Sequence, residues 1–393
     1  MILTRGAVRV LRRTGKAAGI VIVVGAFAVG VWTGVGALRG GGNGAAKAGG
    51  SPFLIYSEFG RTTDTIWAAQ ADNPSHRNRL TTIDHAPEYG VVASLSPDGN
   101  RIAYTVLPAA GGAAAIDAPA EVWLMDRDGR NRRRLATDAD LPVPPVWAPD
   151  GTAVVFRRSD NSDSGGRFKL VRVTTSGVET TLVDAAAGVM PVGFTPGGSL
   201  YYVSLSTAGT NLGVVYPSGG VMSNVAHLSD DFARDWHLSP EGTRLAYLAP
   251  RQNGNTVSYA AVVLDLSAGA TNRLRAAASP GIQGDEFNPI WRPDGAGITI
   301  GRLTPSAAAG APALQMAAAG GTAVQSLAAP PRGFDVPLAW SPDTGYLAVR
   351  YFEGSSVTNP GRSWVTVVGA DGRRQTVSPN SDVEVMGWVE SGG

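Results

Sequence analysis

The side chains able to do chemistry in this chain are four histidines, 32 aspartates and glutamates, and arginines gathered into short runs. A hydrolytic zinc would ask for histidines about three to five residues apart, and a nucleophilic serine for a Gly-x-Ser-x-Gly turn. His76, His85, His227 and His237 lack such spacing, and no Gly-x-Ser-x-Gly turn occurs. His237 falls in an apolar strand and reads as a packed histidine rather than a base. There is no cysteine, which excludes disulfides, thiol catalysis, covalent haem attachment and a lipoprotein anchor. Asp160-Asn161-Ser162-Asp163-Ser164-Gly165 alternates oxygen ligands before a glycine, as a calcium loop does. Its twelfth position is Val171 instead of a bidentate glutamate, so it reads as a solvated polar loop. No catalytic, metal-binding or cofactor-binding residue is assigned.

Arg127, Arg130, Arg132, Arg133 and Arg134 crowd one short stretch, echoed by Arg77 and Arg79, Arg273 and Arg275, and Arg373 and Arg374. On an outer strand such charge blocks edge-to-edge pairing. The alternative is a basic rim that meets anionic headgroups or an acidic partner. A net charge of +1 with 17% charged residues gives no sign of nucleic-acid binding.

These residues are carried on an internal repeat. An aromatic or apolar residue followed by a tight turn recurs seven times, roughly 45 to 53 residues apart, which is the sequence mark of a β-propeller. The copies are Leu95-Ser96-Pro97-Asp98-Gly99, Trp147-Ala148-Pro149-Asp150-Gly151, Phe194-Thr195-Pro196-Gly197-Gly198, Leu238-Ser239-Pro240-Glu241-Gly242, Trp291-Arg292-Pro293-Asp294-Gly295, Trp340-Ser341-Pro342-Asp343 and a worn Trp388-Val389-Glu390-Ser391-Gly392. Proline presets φ, aspartate suits the next place, and glycine takes the left-handed conformation that closes the turn. Apolar runs such as Ile102-Ala103-Tyr104-Thr105-Val106 and Val122-Trp123-Leu124-Met125 then supply the remaining strands of a four-stranded blade.

The ends of the chain complement each other. Residues 54–84 hold three strands with no motif strand before them, and 385–389 is a motif strand with no blade behind it. The C-terminus is expected to supply the inner strand of blade one, which removes an unpaired edge and divides residues 51–393 into seven units of about 49. The fold class is all-β, a seven-bladed propeller, with six blades as the alternative. The repeat resembles the WD40-like repeats of the TolB propeller family, whose units carry the same Trp-Ser-Pro-Asp-Gly turn and a similar split closing blade. That resemblance implies the fold over residues 51–393 and little about function, since such repeats also occur in peptidases that carry an added hydrolase domain. The chain departs from TolB itself, which resembles a six-bladed ring behind a small α/β domain.

In such blades the first-to-second and third-to-fourth turns share one face, and here they are clipped short. The other face is expected to carry long loops at 107–120, 158–167, 250–258, 303–313 and 352–363, and binding is expected there. Asp230, Asp231, Asp235, Asp285, Glu286, Asp335, Asp382 and Glu384 are expected in loops between blades. Capping and turn formation explain them; a cation or basic ligand at the channel mouth is the alternative.

Residues 17–38 are about 22 positions without a charge and follow Arg5, Arg9, Arg12, Arg13 and Lys16. The expected organisation is a basic cytoplasmic segment over 1–16, a transmembrane helix over 17–38, a glycine-rich linker over 39–52 and a periplasmic propeller over 53–393, anchored in a bacterial inner membrane. A signal peptide cleaved near Ala46-Lys47-Ala48 is the alternative, though the apolar stretch is longer than a signal core. Ala26, Gly30 and Gly34 line one helix face, where a second membrane helix has room to approach. The expected function is a non-catalytic scaffold or accessory subunit, without cofactor, on an integral membrane protein or envelope complex. A periplasmic ligand sensor and a propeller enzyme are the alternatives.

Overall fold

The structure, a computed structural model, describes residues 50–109, 119–160, 166–253, 256–267, 273–274, 284–303, 310–317 and 324–391. The apolar segment 17–38 with Ala26, Gly30 and Gly34, residues 161–165 of the calcium-like loop, and Arg275 lie outside them. Among the described residues no helix is long and apolar enough to cross a membrane.

Alternating apolar runs, cut by Pro-Asp-Gly and Asp-Gly turns, form strands that assemble into seven four-stranded antiparallel sheets. Blade one uses β1 (Phe53–Glu58), β2 (Thr63–Gln70) and β3 (Arg77–Asp84). Blade two is β4 (Val92–Leu95), β5 (Arg101–Val106), β6 (Ala120–Asp126) and β7 (Arg133–Ala139), and blade three is β8 (Val146–Trp147), β9 (Ala153–Asp160), β10 (Arg167–Thr174) and β11 (Glu179–Ala185). Blade four is β12 (Gly188–Phe194), β13 (Leu200–Ser206), β14 (Gly209–Val215) and β15 (Val221–Ser229), and blade five is β16 (Arg234–Leu238), β17 (Arg244–Asn253), β18 (Thr256–Asp265) and β19 (Arg273–Leu274). Blade six is β20 (Asp285–Trp291), β21 (Gly297–Leu303), β22 (Leu314–Ala317) and β23 (Val324–Ser326), and blade seven is β24 (Phe334–Trp340), β25 (Tyr346–Phe352), β26 (Ser363–Gly369) and β27 (Arg374–Thr376). The last strand, β28 (Val383–Val389), returns to blade one and pairs with β1, with Trp388 opposite Leu54. The inner edge of blade one is thereby covered.

Where an inner strand carries the motif tryptophan, that side chain joins its blade to the preceding one; β4, β12 and β16 end instead in Leu95, Phe194 and Leu238. The indole N–H of Trp147, Trp291 and Trp388 donates to the carbonyl of Ser94, His237 and Ala339 in the preceding blade, at 3.2, 2.8 and 3.1 Å. Trp340 donates instead to the Thr299 hydroxyl at 2.9 Å. Arg101, Arg244 and Arg292 of the preceding blades lie over Trp147, Trp291 and Trp340 at 5.3, 4.8 and 5.7 Å. Arg101 and Arg244 also donate to the turn carbonyls of Gly151 and Gly295, at 2.9 and 2.8 Å.

The turns that follow Pro97, Pro149, Pro240 and Pro293 close through Gly99, Gly151, Gly242 and Gly295, with φ of 69, 67, 74 and 68°. Asp98, Asp150, Asp294 and Asp343 accept the N–H two residues on, at 3.1, 2.9, 3.0 and 3.0 Å. The Thr152 N–H holds the Asp150 carboxyl below its ordinary range, and the Arg292 side chain does the same for Asp294. In the turn behind Pro342 the glycine is replaced by Thr344, which is left in the left-handed region at φ 60°.

Of residues 250–258, expected as a loop, 250–253 and 256–258 are instead the far ends of β17 and β18, paired from Arg244 with Asp265 to Asn253 with Thr256. Pro250 fits because the inner strand β16 reaches no further than Leu248 along β17, so no neighbour on that side asks for an N–H.

Two substitutions probe this framework by urea unfolding. Trp388→Ala removes a side chain only 6% exposed together with its bond to Ala339, and is expected to cost about 3–5 kcal/mol. Thr344→Gly relieves the left-handed conformation and is expected to raise stability by about 1 kcal/mol. A loss under about 1 kcal/mol for Trp388→Ala would contradict the closing role of β28.

Candidate functional site

Asp235, Asp285, Glu286, Asp335 and Glu384, expected in loops between blades, lie within the inner strands β16, β20, β24 and β28. Asp230, Asp231 and Asp382 stand in the connections. The difference arises from β-bulges, which shift the register between Arg234 and His237, Phe287 and Ile290, and Pro337 and Ala339, and opposite Ile55 and Tyr56 in β28. An extra residue breaks the alternation, yet pairing resumes upstream through residues that look like loop.

Two of these carboxylates hold blades together. Glu286, 4% exposed, accepts two bonds from Arg302 at 3.0 and 2.6 Å, and its other oxygen accepts the Ala261 N–H of blade five at 2.7 Å. Asp335, 1% exposed and likewise five residues before a tryptophan, accepts Arg374 at 2.8 and 2.7 Å and the Ala313 N–H of blade six. Burial pushes the Asp335 carboxyl up while Arg374 pulls it back. Arg374, read from the sequence as part of a rim, is thus turned inward. Glu384 lies 3.5 Å from Arg350; enclosure pushes its carboxyl up, although about a third of its side chain meets water.

Two histidines sit in opposite surroundings. His85, with no exposed surface, has Nε2 3.0 Å from Asp64 Oδ1 and Nδ1 2.9 Å from the Ala86 carbonyl. Both neighbours are acceptors, so the ring needs both N–H groups. Burial opposes the charge, but the bonds to Asp64 and Ala86 outweigh it and raise His85 above its ordinary 6.5. Asp64 also accepts the N–H of Gly60 at 3.1 Å and of Val91 at 2.9 Å. His237 instead donates from Nε2 to the Asn288 side-chain oxygen at 3.0 Å, and burial lowers it to about 4. Asn288 passes the chain on to the Pro337 carbonyl at 2.6 Å, so blades five, six and seven are linked through one polar relay.

Beside His237 the ring leaves polar atoms unused. Asp235, 8% exposed at φ 55°, accepts the Asn288 N–H, and burial pushes its carboxyl up. Its Oδ1, the Trp236 Nε1 and the Arg234 Nε are buried without hydrogen-bond partners, the last standing 4.0 Å from Asp235 Oδ2. The Arg234 guanidinium lies over Tyr259 at 4.0 Å. This corner has the donor and acceptor needed to hold a water or a small polar ligand. Among the described residues no three His, Asp or Glu side chains gather in a way that would hold a metal.

The arginines of blade two divide between ties and solvent. Arg132 donates to the Thr82 carbonyl of blade one at 2.6 Å and to the Thr81 hydroxyl, Arg134 pairs with Glu121 at 2.6 Å, and Arg127 donates to the Gly99 carbonyl at 3.0 Å. Arg130 is 3.5 Å from Asp128 and 81% exposed, and Arg133 is exposed with no partner among the described residues. The Asp64–His85 pair escaped the sequence reading, although a signal for it exists. Asp64 shares the parity of Ile66 and Ala68 along β2, the face that is buried.

No family model matches the chain. No curated protein matches it either. Among solved structures it is similar to TolB from Acinetobacter baumannii, at 15% identity and a TM-score of 0.50 over 86% of this chain and 66% of that one. It is similar to oligogalacturonate lyase from Vibrio parahaemolyticus, at 10% identity and 0.55 over 84% and 86%. Prolyl oligopeptidase B from Galerina marginata gives 11% identity and 0.57 over 86% and 51%, so the chain spans about half of that protein and about two thirds of the TolB chain. This likeness shows a TolB-like β-propeller fold. Since proteins named as a lyase and an oligopeptidase share it, the fold assigns no activity.

The two histidines set opposite pH dependences. His85, raised, adds stability that is full below its unfolded value of about 6.5 and is lost as pH climbs through the higher folded value. His237, lowered to about 4, adds stability present above about 6.5 and lost as pH falls through about 4. Imidazole NMR is expected to show His85 keeping its second proton to higher pH than a free imidazole and His237 neutral down to about 4. His85→Gln should flatten the alkaline side of the stability curve and His237→Gln the acid side; unaltered curves would contradict both placements.

Proposed function

We propose that this chain is a non-catalytic, membrane-anchored propeller that serves as a scaffold or accessory subunit of a larger envelope complex. The observation that carries this reading is where the acids and bases go. Glu286, Asp335 and Asp64 are spent on Arg302, Arg374, His85 and backbone N–H groups within and between blades. A ring whose ionisable groups are committed to its own joints offers surfaces rather than reactive groups. The charge-free segment 17–38 behind Arg5 to Lys16 supports an anchor that leaves the ring on the outer side of the inner membrane. Envelope maintenance, secretion, respiration and photosynthesis are all compatible with it.

A second reading, a ligand sensor, is favoured by one observation, the unpartnered Asp235 Oδ1 and Trp236 Nε1 beside His237.

Co-purification from solubilised membranes separates the two. A stoichiometric partner is expected, and Gly30→Leu with Gly34→Leu, which blocks close helix approach while keeping the segment apolar, should reduce its recovery at least several-fold with the ring still folded. A monodisperse monomer from gently solubilised membranes would count against the scaffold and in favour of the sensor.

A further inference from the structure

The chain joins the ring at one particular face. β1 is the second strand of blade one, and Gly50 before it accepts the Ser391 hydroxyl behind β28. In every other blade the second strand begins at the Pro-Asp-Gly type of turn. Residue 50 therefore stands on the short-turn face, and everything N-terminal to it departs from that face. Residues 39–49 reach at most about 40 Å when extended, so an anchor at 17–38 would hold the attachment point on this face within that distance of its membrane.

The third-to-fourth hairpins of blades two, three and four follow one another around the same face. Blade two presents Arg130 and Arg133. Blade three presents Val178, 62% exposed, and blade four presents Tyr216, Val221 and Met222, 42, 50 and 48% exposed. Hairpin tips ordinarily carry polar turn residues. These two close from Thr174 N–H to the Val178 carbonyl and from Tyr216 N–H to the Gly220 carbonyl, at 2.9 and 2.8 Å, and the Thr174 hydroxyl accepts the Val178 N–H at 3.0 Å, so the turns close without the apolar side chains. Asp128 and Glu179, acids on these hairpins, lie within 3.5 and 2.9 Å of Arg130 and Arg158. Phe232 and Val257, 37 and 54% exposed, are the large apolar residues exposed on the opposite face among the described residues.

We propose that the short-turn face docks on an anionic lipid surface through the hairpin tips of blades two to four. Arg130 and Arg133 meet phosphate headgroups, and Val178, Tyr216, Val221 and Met222 enter the interfacial zone, the pairing of cationic and apolar groups that surface-seeking elements use. The tether supplies a high local concentration of membrane, so weak contacts suffice to orient the ring. The proposal rests on reading 17–38 as the anchor and adds which face lies against the bilayer, leaving the loop-bearing face outward.

The absence of cysteine gives a clean test. Full-length Val178→Cys, Met222→Cys and Val257→Cys variants, labelled with an environment-sensitive fluorophore, are reconstituted into phosphatidylcholine vesicles with or without phosphatidylglycerol and with doxyl lipid as quencher. Labels at 178 and 222 are expected to be quenched at least twofold more than at 257 in the anionic vesicles. The difference should shrink in high salt and in an Arg130→Glu, Arg133→Glu background. Equal quenching at all three sites, stronger quenching at 257, or none at 178 and 222 would overturn the docking, the last outcome pointing to a protein as occupant. Failure of the unlabelled full chain to float with vesicles of either kind would overturn the anchor reading and the docking with it. Flotation without quenching overturns the docking alone.

Discussion

Four joints of this ring depend on a tryptophan that belongs to one blade and is finished by the preceding one. A buried indole N–H without an acceptor costs on the order of 1–3 kcal/mol. Trp147, Trp291 and Trp388 meet that demand with a main-chain carbonyl across the joint. Each of these blades is therefore incomplete without its predecessor, and local stability becomes a property of pairs, as in other repeat architectures. A linear array would leave one aromatic unmet and one inner edge bare. The pairing of β28 with β1 and the bond from Trp388 to Ala339 in blade seven remove both defects together.

The polar groups obey the same rule at a second level. Glu286 and Asp335 hold equivalent places before Trp291 and Trp340, and each joins an arginine of its own blade to an N–H of the preceding one. Buried pairs of this kind add little net stability over apolar contacts, yet losing one partner strands the other, so they set the angle between blades more than its strength. His85 and His237 show how finely the surroundings decide charge. Two acceptors favour the charged form of the first, while burial favours the neutral form of the second against its bond to Asn288.

Much of this fold was legible because a propeller repeats its turn chemistry, and Pro-Asp-Gly following an aromatic needs no alignment to be seen. The orphan segment at 385–389 was legible for the same reason, being a motif strand with nothing behind it. The inner-strand carboxylates were misplaced because a bulge breaks the period of two that strand recognition relies on, as at Phe287 to Ile290. The segment from 250, expected as loop, pairs as strand even through Pro250, because a proline is harmless where the neighbouring strand has ended. The pairing of Asp64 with His85 spans 21 residues, and the Arg374–Asp335 pair spans 39. No local pattern encodes contacts at such separations; only the geometry of the assembled ring brings them together.

Repetition also supplies a ruler for finding what a ring does beyond closing. Where a position does the same work in blade after blade, as the tryptophans and the turn aspartates do, the joint explains it. A position that breaks the pattern without strengthening the joint calls for another cause. Asp235 is such a place, a carboxylate at φ 55° with an oxygen that no neighbouring blade uses, where the corresponding residue of blade six is the fully engaged Asn288. The apolar tips of blades three and four are another, exposed on the face from which the chain departs. The two departures lie at different levels of the ring: one is buried in an inner strand between blades five and six, the other spread over the outer hairpins. The exposed apolar tips and the internal polar corner therefore make separate demands on this sequence, and substitutions at Met222 and at Asp235 should act independently of one another.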